Sequence, residues 1–197
     1  TETTTFFTIG LVMMAAISMS VLMESRYPHR AGLAVDGTSA IPGVLNRAQF
    51  DEHATLWLAR ARRERDSLVV VFLDIANLDD INSAFGRAYG DQAILAVART
   101  ISEHVPSAAV VGCEGGMHFA VLTTAPAIGN TTVVAQNLHT ALVETPIDAE
   151  EEIRAVAICS VATTDRYGYD LVTLRTAAAD ALAEATRVGP GTITLAR

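Results

Sequence analysis

Between residues 44 and 196 the apolar positions fall into two rhythms, one with the helical period and one of unbroken runs. In "VLNRAQFDEHATLWLARARRERD", Leu45, Phe50, Ala54, Trp57, Leu58 and Ala61 recur at helical spacing, which predicts an amphipathic helix. "SLVVVFLDI" is apolar almost throughout and closes at Asp74, the pattern of a strand buried on both faces of a sheet. "NLDDINSAF" predicts a short helix with Asn77 as its N-cap, and "GRAYGD" a turn. "QAILAVARTISEHV" predicts an amphipathic helix with Ile94, Leu95, Val97, Ala98 and Ile101 inward, stopped by Pro106. "AAVVGC" and "HFAVLTT" flank Gly115 and Gly116 as the strands of a tight hairpin, whose turn calls for positive φ at the glycines. "TTVVAQNLHTALVE" reads as a helix and "IRAVAICSVATT" as a strand. "DLVTLRTAAADALAEATRVG" is a long alanine-rich helix closed by Gly189, and "TITLA" a last strand. The predicted order is α, β, α, α, β, β, α, β, α, β. It describes an α/β sandwich: one central mixed sheet with an antiparallel hairpin and helices on both faces.

Upstream the pattern changes. Residues 6–23 carry no charge, and Glu2 and Glu24 bracket them. About 20 apolar residues cross the hydrocarbon core of a bilayer, so residues 1–24 are expected to form a hydrophobic, transmembrane helix; packing on a partner is the alternative. Arg26, His29 and Arg30 follow, and the positive-inside rule then places the rest of the chain in the cytoplasm. Residues 25–38 read as a linker, and residues 39–197 as the folded domain. The chain starts at Thr1 rather than Met, which reads as a fragment or a processed product.

Composition narrows the function. Half of the 197 residues are apolar, enough for a full core, and only 18% are charged. The net charge of −8 argues against a nucleic-acid polymer as partner, because phosphate binding is driven by Lys and Arg. Cys113 and Cys159 lie far apart in apolar runs and read as two buried thiols of a reducing compartment. The five histidines show no metal-ligand spacing, so no zinc site is expected. Arg60, Arg62, Arg63 and Arg65 complement the dipole at a helix end and read as a solvated face.

Four landmarks, in order and in spacing, resemble the GGDEF domain, the diguanylate cyclase fold, which is related to the class III nucleotide cyclases. "SAIPGVLNRAQF" is similar to D-x-L-T-G-L-x-N-R-R-x-F through Gly43, Leu45, Asn46, Arg47 and Phe50. "FLDIANLDDINSAFGRAYGD" is similar to D-I-D-x-F-K-x-I-N-D-x-x-G-H-x-x-G-D. "EGGMHFAVL" stands where G-G-D/E-E-F-A-V-L belongs, and "AAADALAEATRVGPG" where A-D-x-A-L-Y-x-A-K-x-x-G-R-N belongs. The resemblance covers roughly residues 39–196.

That family joins two GTP molecules into cyclic di-GMP, a phosphoryl transfer that needs Mg²⁺ and cations on the phosphates. The resemblance implies two metal-ligand positions. One is kept as Asp74, and the other, in the hairpin tip, is Met117, a soft thioether with little affinity for Mg²⁺. The next acid of the motif is His118, followed by Phe119, and the second Asp of D-I-D is Ala76. The family's phosphate-contacting Lys and Arg fall on Thr186 and Pro190. The signature Gly115, Gly116, Met117, His118, Phe119 is therefore degenerate. No catalytic residue is expected, and Asp74 is a vestigial metal position. The inhibitory R-x-x-D falls on Pro106 to Ala109, which reads "PSAA".

Asn82 and Asp91 match the positions that hydrogen-bond guanine in the family. Each also has a plain structural reading: Asn82 as a polar residue on the short helix, Asp91 as the N-cap of a helix from residue 92. The expected function is a catalytically inactive, membrane-tethered GGDEF domain serving signalling, protein interaction or dimerisation, with no resident cofactor. The alternatives are a sensor of GTP, with Mg²⁺ accompanying the nucleotide, and a residual cyclase or nucleotide hydrolase.

Overall fold

In a computed structural model of the chain, residues 41, 43–115, 118–125, 131–148 and 153–197 are described. The expected transmembrane run 6–23, the linker 25–38, and Gly116 and Met117 at the hairpin tip lie outside the described residues. Among the described residues no helix is long and apolar enough to cross a membrane.

The elements run in the order β1 (Leu45–Asn46), α1 (Arg47–Glu64), β2 (Leu68–Ile75), α2 (Leu78–Phe85), α3 (Arg87–His104), β3 (Val110–Gly115) and β4 (His118–Thr124). They continue with α4 (Val133–Glu144), β5 (Pro146–Asp148), β6 (Ile153–Arg154), β7 (Ala157–Thr163), α5 (Thr164–Tyr167), α6 (Leu171–Val188) and β8 (Ile193–Leu195). Six strands form one sheet in the order β1-β3-β4-β2-β7-β8, while β5 and β6 pair separately. The β1/β3 and β7/β8 pairs are parallel and the three central pairings antiparallel, so the sheet is mixed as expected.

β2 lies at the centre because its sequence tolerates burial on both faces, and all but Asp74 of its eight residues are buried. On one face Val69, Val71, Leu73 and Ile75 join Val97, Ile101, Leu138 and Leu142 from α3 and α4 in one core. On the other face lie α1 and α6. Phe72 is paired with Ser160 of β7, whose hydroxyl donates to the carbonyl of Ala178 in α6 at 2.7 Å. Asp74, two residues further along β2, shares that face. α1 seats on β3 at Gly112. A Cβ there would stand 2.6 Å from Cδ2 of the fully buried Phe50, so only glycine lets the ring lie on the strand.

Several boundaries differ from the sequence reading. Leu45 leaves the predicted first helix for the two-residue strand β1, because Asn46 caps α1: its side chain accepts from the Gln49 N–H, and Gln49 accepts from the Asn46 N–H. "GRAYGD" is mostly helix. The turn is confined to Gly86 at φ 86°, and α3 begins at Arg87. The predicted strand from Ile153 breaks at residues 155–156 into β6 and β7. Asn77 sits at the start of α2 without a side-chain cap bond. Its amide instead donates to the Arg154 carbonyl and accepts from the Val156 N–H, both at 2.9 Å, which anchors that break.

Candidate functional site

The hairpin of β3 and β4 brings its base to the end of β2. Cys113 pairs with Phe119 and Gly115 with His118, so Glu114 is the extra residue of a bulge. Bulges re-aim side chains, and Glu114 has the strand parity of Gly112, the residue that faces Phe50 of α1. In the neighbouring ladder Asp74 lies directly opposite His118. Asp74, His118 and Glu114 thus gather on the face shared with α1 and α6.

The Asp74 carboxylate stands 3.4 Å from Nδ1 of His118. The distance is within ion-pair reach, but the atoms are not aligned as a hydrogen bond, and Asp74 Oδ1 is a buried oxygen without a hydrogen-bond partner. Burial pushes the Asp74 carboxyl above the usual 3.8; the His118 imidazole and the Ile75 N–H pull the other way, and Asp79 adds to the rise. The imidazole of His118 thus stands against the carboxylate of Asp74, the position expected from the sequence to be a vestigial metal ligand.

Glu114 is about as deeply placed as Asp74, with its side chain 12% exposed. Arg175 of α6 reaches it at 3.0 Å and Arg47 of α1 at 3.6 Å. Arg175 also contacts Asp51 of α1. The Arg175 contact is electrostatic rather than a well-aligned hydrogen bond, since Glu114 Oε1 has no hydrogen-bond partner. Burial raises the Glu114 carboxyl above the usual 4.5, and Arg175 and then Arg47 oppose the rise. The signature hairpin is therefore tied at its base to both helices of this face. Sequence reasoning missed this network because its members are far apart along the chain. The available signals were one acid inside an apolar strand and one cation inside an alanine-rich helix.

The guanine candidates lie where α2 meets α3. Asn82 is half-buried, and its side chain occupies the space over Gly90: a Cβ on Gly90 would stand 2.0 Å from Asn82 Oδ1. Gly90 is thus a contact point between the two helices, not a turn. Asp91 follows it, exposed, in the second turn of α3, which excludes the N-cap reading for Asp91. Next to them Phe85 and Tyr89 pack ring to ring with centroids 5.0 Å apart.

The surroundings of a triphosphate are less well provided. Thr186 on α6 is exposed, and its hydroxyl donates to the Leu182 carbonyl at 2.9 Å. Pro190 is exposed in the following loop, and Arg187 is paired with Glu184. At the place of the inhibitory motif, Ala109 N–H closes a turn on the Pro106 carbonyl at 2.8 Å, and Ala109 is buried. Mg²⁺ takes several hard oxygen ligands in octahedral geometry. The donor set at Asp74 is one carboxylate against an imidazole, and among the described residues no group of three metal-ligating side chains occurs. These residues do not fit Mg²⁺.

A family model described as "Diguanylate cyclase, GGDEF domain" matches residues 38–191. The chain belongs to the GGDEF family. This GGDEF domain is 25% identical over 114 residues to the diguanylate cyclase DgcP of Escherichia coli (strain K12), a match of 58% of this chain and 33% of the relative. It is 22% identical over 99 residues to an uncharacterized membrane protein of Staphylococcus aureus (strain USA300), covering 50% of this chain and 28% of that protein. The chain thus spans a third or less of the curated relatives it matches. Among solved structures, the GGDEF domain of YfiN (TpbB) from Pseudomonas aeruginosa superposes with a TM-score of 0.72 at 26% identity, over 78% of this chain and 91% of the other.

Proposed function

We propose that this GGDEF domain does not join GTP into cyclic di-GMP and works instead as a membrane-tethered signalling module, engaged by a protein partner or a second copy. The observation that carries the reading is the His118 imidazole set against Asp74. A cyclase needs metal there to hold the phosphates and to offset charge as pyrophosphate leaves. Met117 in place of an acid removes a ligand, and the His118 imidazole puts a cation-forming group beside Asp74, where a metal would stand. Losing one metal ligand costs several kcal/mol of transition-state stabilisation, or several decades in rate. Neutral Thr186 and Pro190 at the cation positions deepen the loss. The tether in this reading is the uncharged run 6–23 with the basic residues after it. Prolonged incubation with GTP and Mg²⁺ is expected to leave GTP intact. Accumulation of cyclic di-GMP or of hydrolysis products would overturn the proposal in favour of a residual enzyme.

A second reading is favoured by one observation, the release of Asp91 from any capping duty beside Asn82. A carboxylate can accept from the guanine N1–H and N2–H₂ edge while an amide serves the acceptor side. In this reading the domain is a GTP sensor without turnover. Thermal melting with and without GTP tests it, because a ligand bound only by the folded state raises the melting temperature. Asp91→Ala should abolish the rise, and no rise in the parent chain removes the sensor.

A further inference from the structure

The two ends of the candidate nucleotide site differ in charge. At the base end, Asn82 is half-buried against Gly90, and Asp91 is exposed in the second turn of α3. Among the described residues, neither the Asn82 amide nor the Asp91 carboxylate is claimed by a side-chain hydrogen bond or an ion pair. Phe85 follows Asn82 by three residues on α2, so the two share a side of that helix. Its ring packs on Tyr89 at 5.0 Å and is still 47% exposed, which leaves apolar surface open beside the two polar groups. At the other end stand acids. Asp79 precedes Asn82 by three residues and, with Asp80, lies exposed in the first turn of α2. Asp79 is near enough to Asp74 to push its carboxyl up. Carboxylates in a first turn already offset the positive end of the helix dipole, so that end has little attraction left for an anion. His118 offers a single imidazole against three carboxylates, Asp74, Asp79 and Asp80. Arg47 and Arg175 face Glu114, and Arg154 donates to the carbonyls of Val143 and Glu144. Arg87 opens α3 beyond Gly86, at the opposite end of α2 from Asp79.

We propose that this site prefers an uncharged guanine nucleoside to its phosphorylated forms. Asn82, Asp91 and the Phe85 ring hold the base, and the acids Asp74, Asp79 and Asp80 repel a phosphate chain. This rests on the sensor reading of Asn82 and Asp91 and changes only its ligand. Guanine offers N1–H and N2–H₂ as donors to the carboxylate, and O6 and N7 as acceptors to an amide; adenine lacks those donors. An exposed aromatic ring adds stacking that needs no charge on the ligand. In the sensor reading the triphosphate runs from the base toward Asp74, past Asp79. Each phosphate then brings negative charge to face carboxylates. The residues at Asp74 do not fit Mg²⁺, so no metal held there offsets it. A nucleoside carries the same base without that repulsion. Affinity therefore falls with each phosphate added, the reverse of the order that a phosphate-binding site gives.

Calorimetric titration of the full chain in detergent micelles with guanosine, GMP, GTP and adenosine reads that order. Guanosine is expected to bind most tightly, GMP less, and GTP at least about tenfold more weakly than guanosine, with and without Mg²⁺. Adenosine should give no heat of binding. The gap between guanosine and GTP should narrow as salt is raised, because added ions screen the exposed acids. Asp79→Asn/Asp80→Asn should strengthen GTP severalfold while guanosine stays within about twofold of the parent, since only the charged ligand feels those acids. Phe85→Ala should weaken guanosine and GTP alike, by about tenfold. GTP that binds at least as tightly as guanosine overturns the preference and leaves the sensor standing, with Arg87 as the group that then holds the phosphates. A gap unmoved by salt and by Asp79→Asn/Asp80→Asn overturns it too. Binding of neither ligand removes the sensor reading together with this one.

Discussion

Removing Arg175 tests the charge network under the signature hairpin. Arg175→Met keeps most of the apolar stem of the side chain and deletes the guanidinium. Glu114, 12% exposed, is then left with Arg47 at 3.6 Å, itself 62% exposed and so screened by water. Breaking a fully buried ion pair by removing one partner costs about 3–5 kcal/mol. Partial solvation and the remaining Arg47 reduce that here to about 2–3 kcal/mol, since the screened partner still offsets some charge. For a domain of this size the cost is a fall of roughly 5–10 °C in melting temperature. The pH dependence has a definite sign. Burial already holds the Glu114 carboxyl above its usual 4.5, so its contribution to stability is complete below that value and is lost as pH rises through the folded-state value. Without Arg175 the folded-state value climbs further. The deficit of the variant should therefore be small in acid and grow toward neutral pH. Calorimetric melting across that range measures it. Glu114→Gln/Arg175→Met should recover to within about 1 kcal/mol of the parent, because no unpaired charge remains. A single variant as stable as the parent at neutral pH, or a deficit independent of pH, would refute the reasoning.

Other perturbations follow from the same geometry. Gly112→Ala places a methyl group 2.6–2.7 Å from the Cδ2, Cβ and Cγ atoms of Phe50, whose Cβ cannot swing away, so overpacking should cost about 1–3 kcal/mol in chemical denaturation. Gly90→Ala sets a gain of up to about 1 kcal/mol in helix propensity against displacement of the flexible Asn82 amide. Its stability should hardly change, while any GTP-induced rise in melting temperature should vanish. Asn77→Ala frees the Arg154 carbonyl and the Val156 N–H and should cost about 1–2 kcal/mol, with faster amide exchange confined to β6 and the start of β7.

The central strand, the two hairpin strands and the order of the long elements were legible from periodicity, because burial on both faces of β2 and the strand alternation around Gly115 and Gly116 are local demands written in consecutive residues; the short β1, β5 and α5 were not. The residue types at positions 117 and 118 are equally plain in the sequence, since a thioether and an imidazole differ from carboxylates whatever surrounds them. Boundaries set by contact were not. α3 starts at Arg87, after the turn at Gly86, and so carries Gly90 under Asn82; the strand from Ile153 breaks where Asn77 reaches across from α2. The site divides in the same way. Sequence singled out Asp74 as the acid that is kept and His118 as a changed position; only pairing of β2 with β4 makes them neighbours. Glu114, Arg175, Arg47 and Asp51 had no joint signature, because an ion pair between distant residues leaves no period in the chain. Side-chain chemistry and local pattern are properties of the sequence, whereas which charges face one another, and which strand edge is left open, depend on how strands and helices are brought together in space.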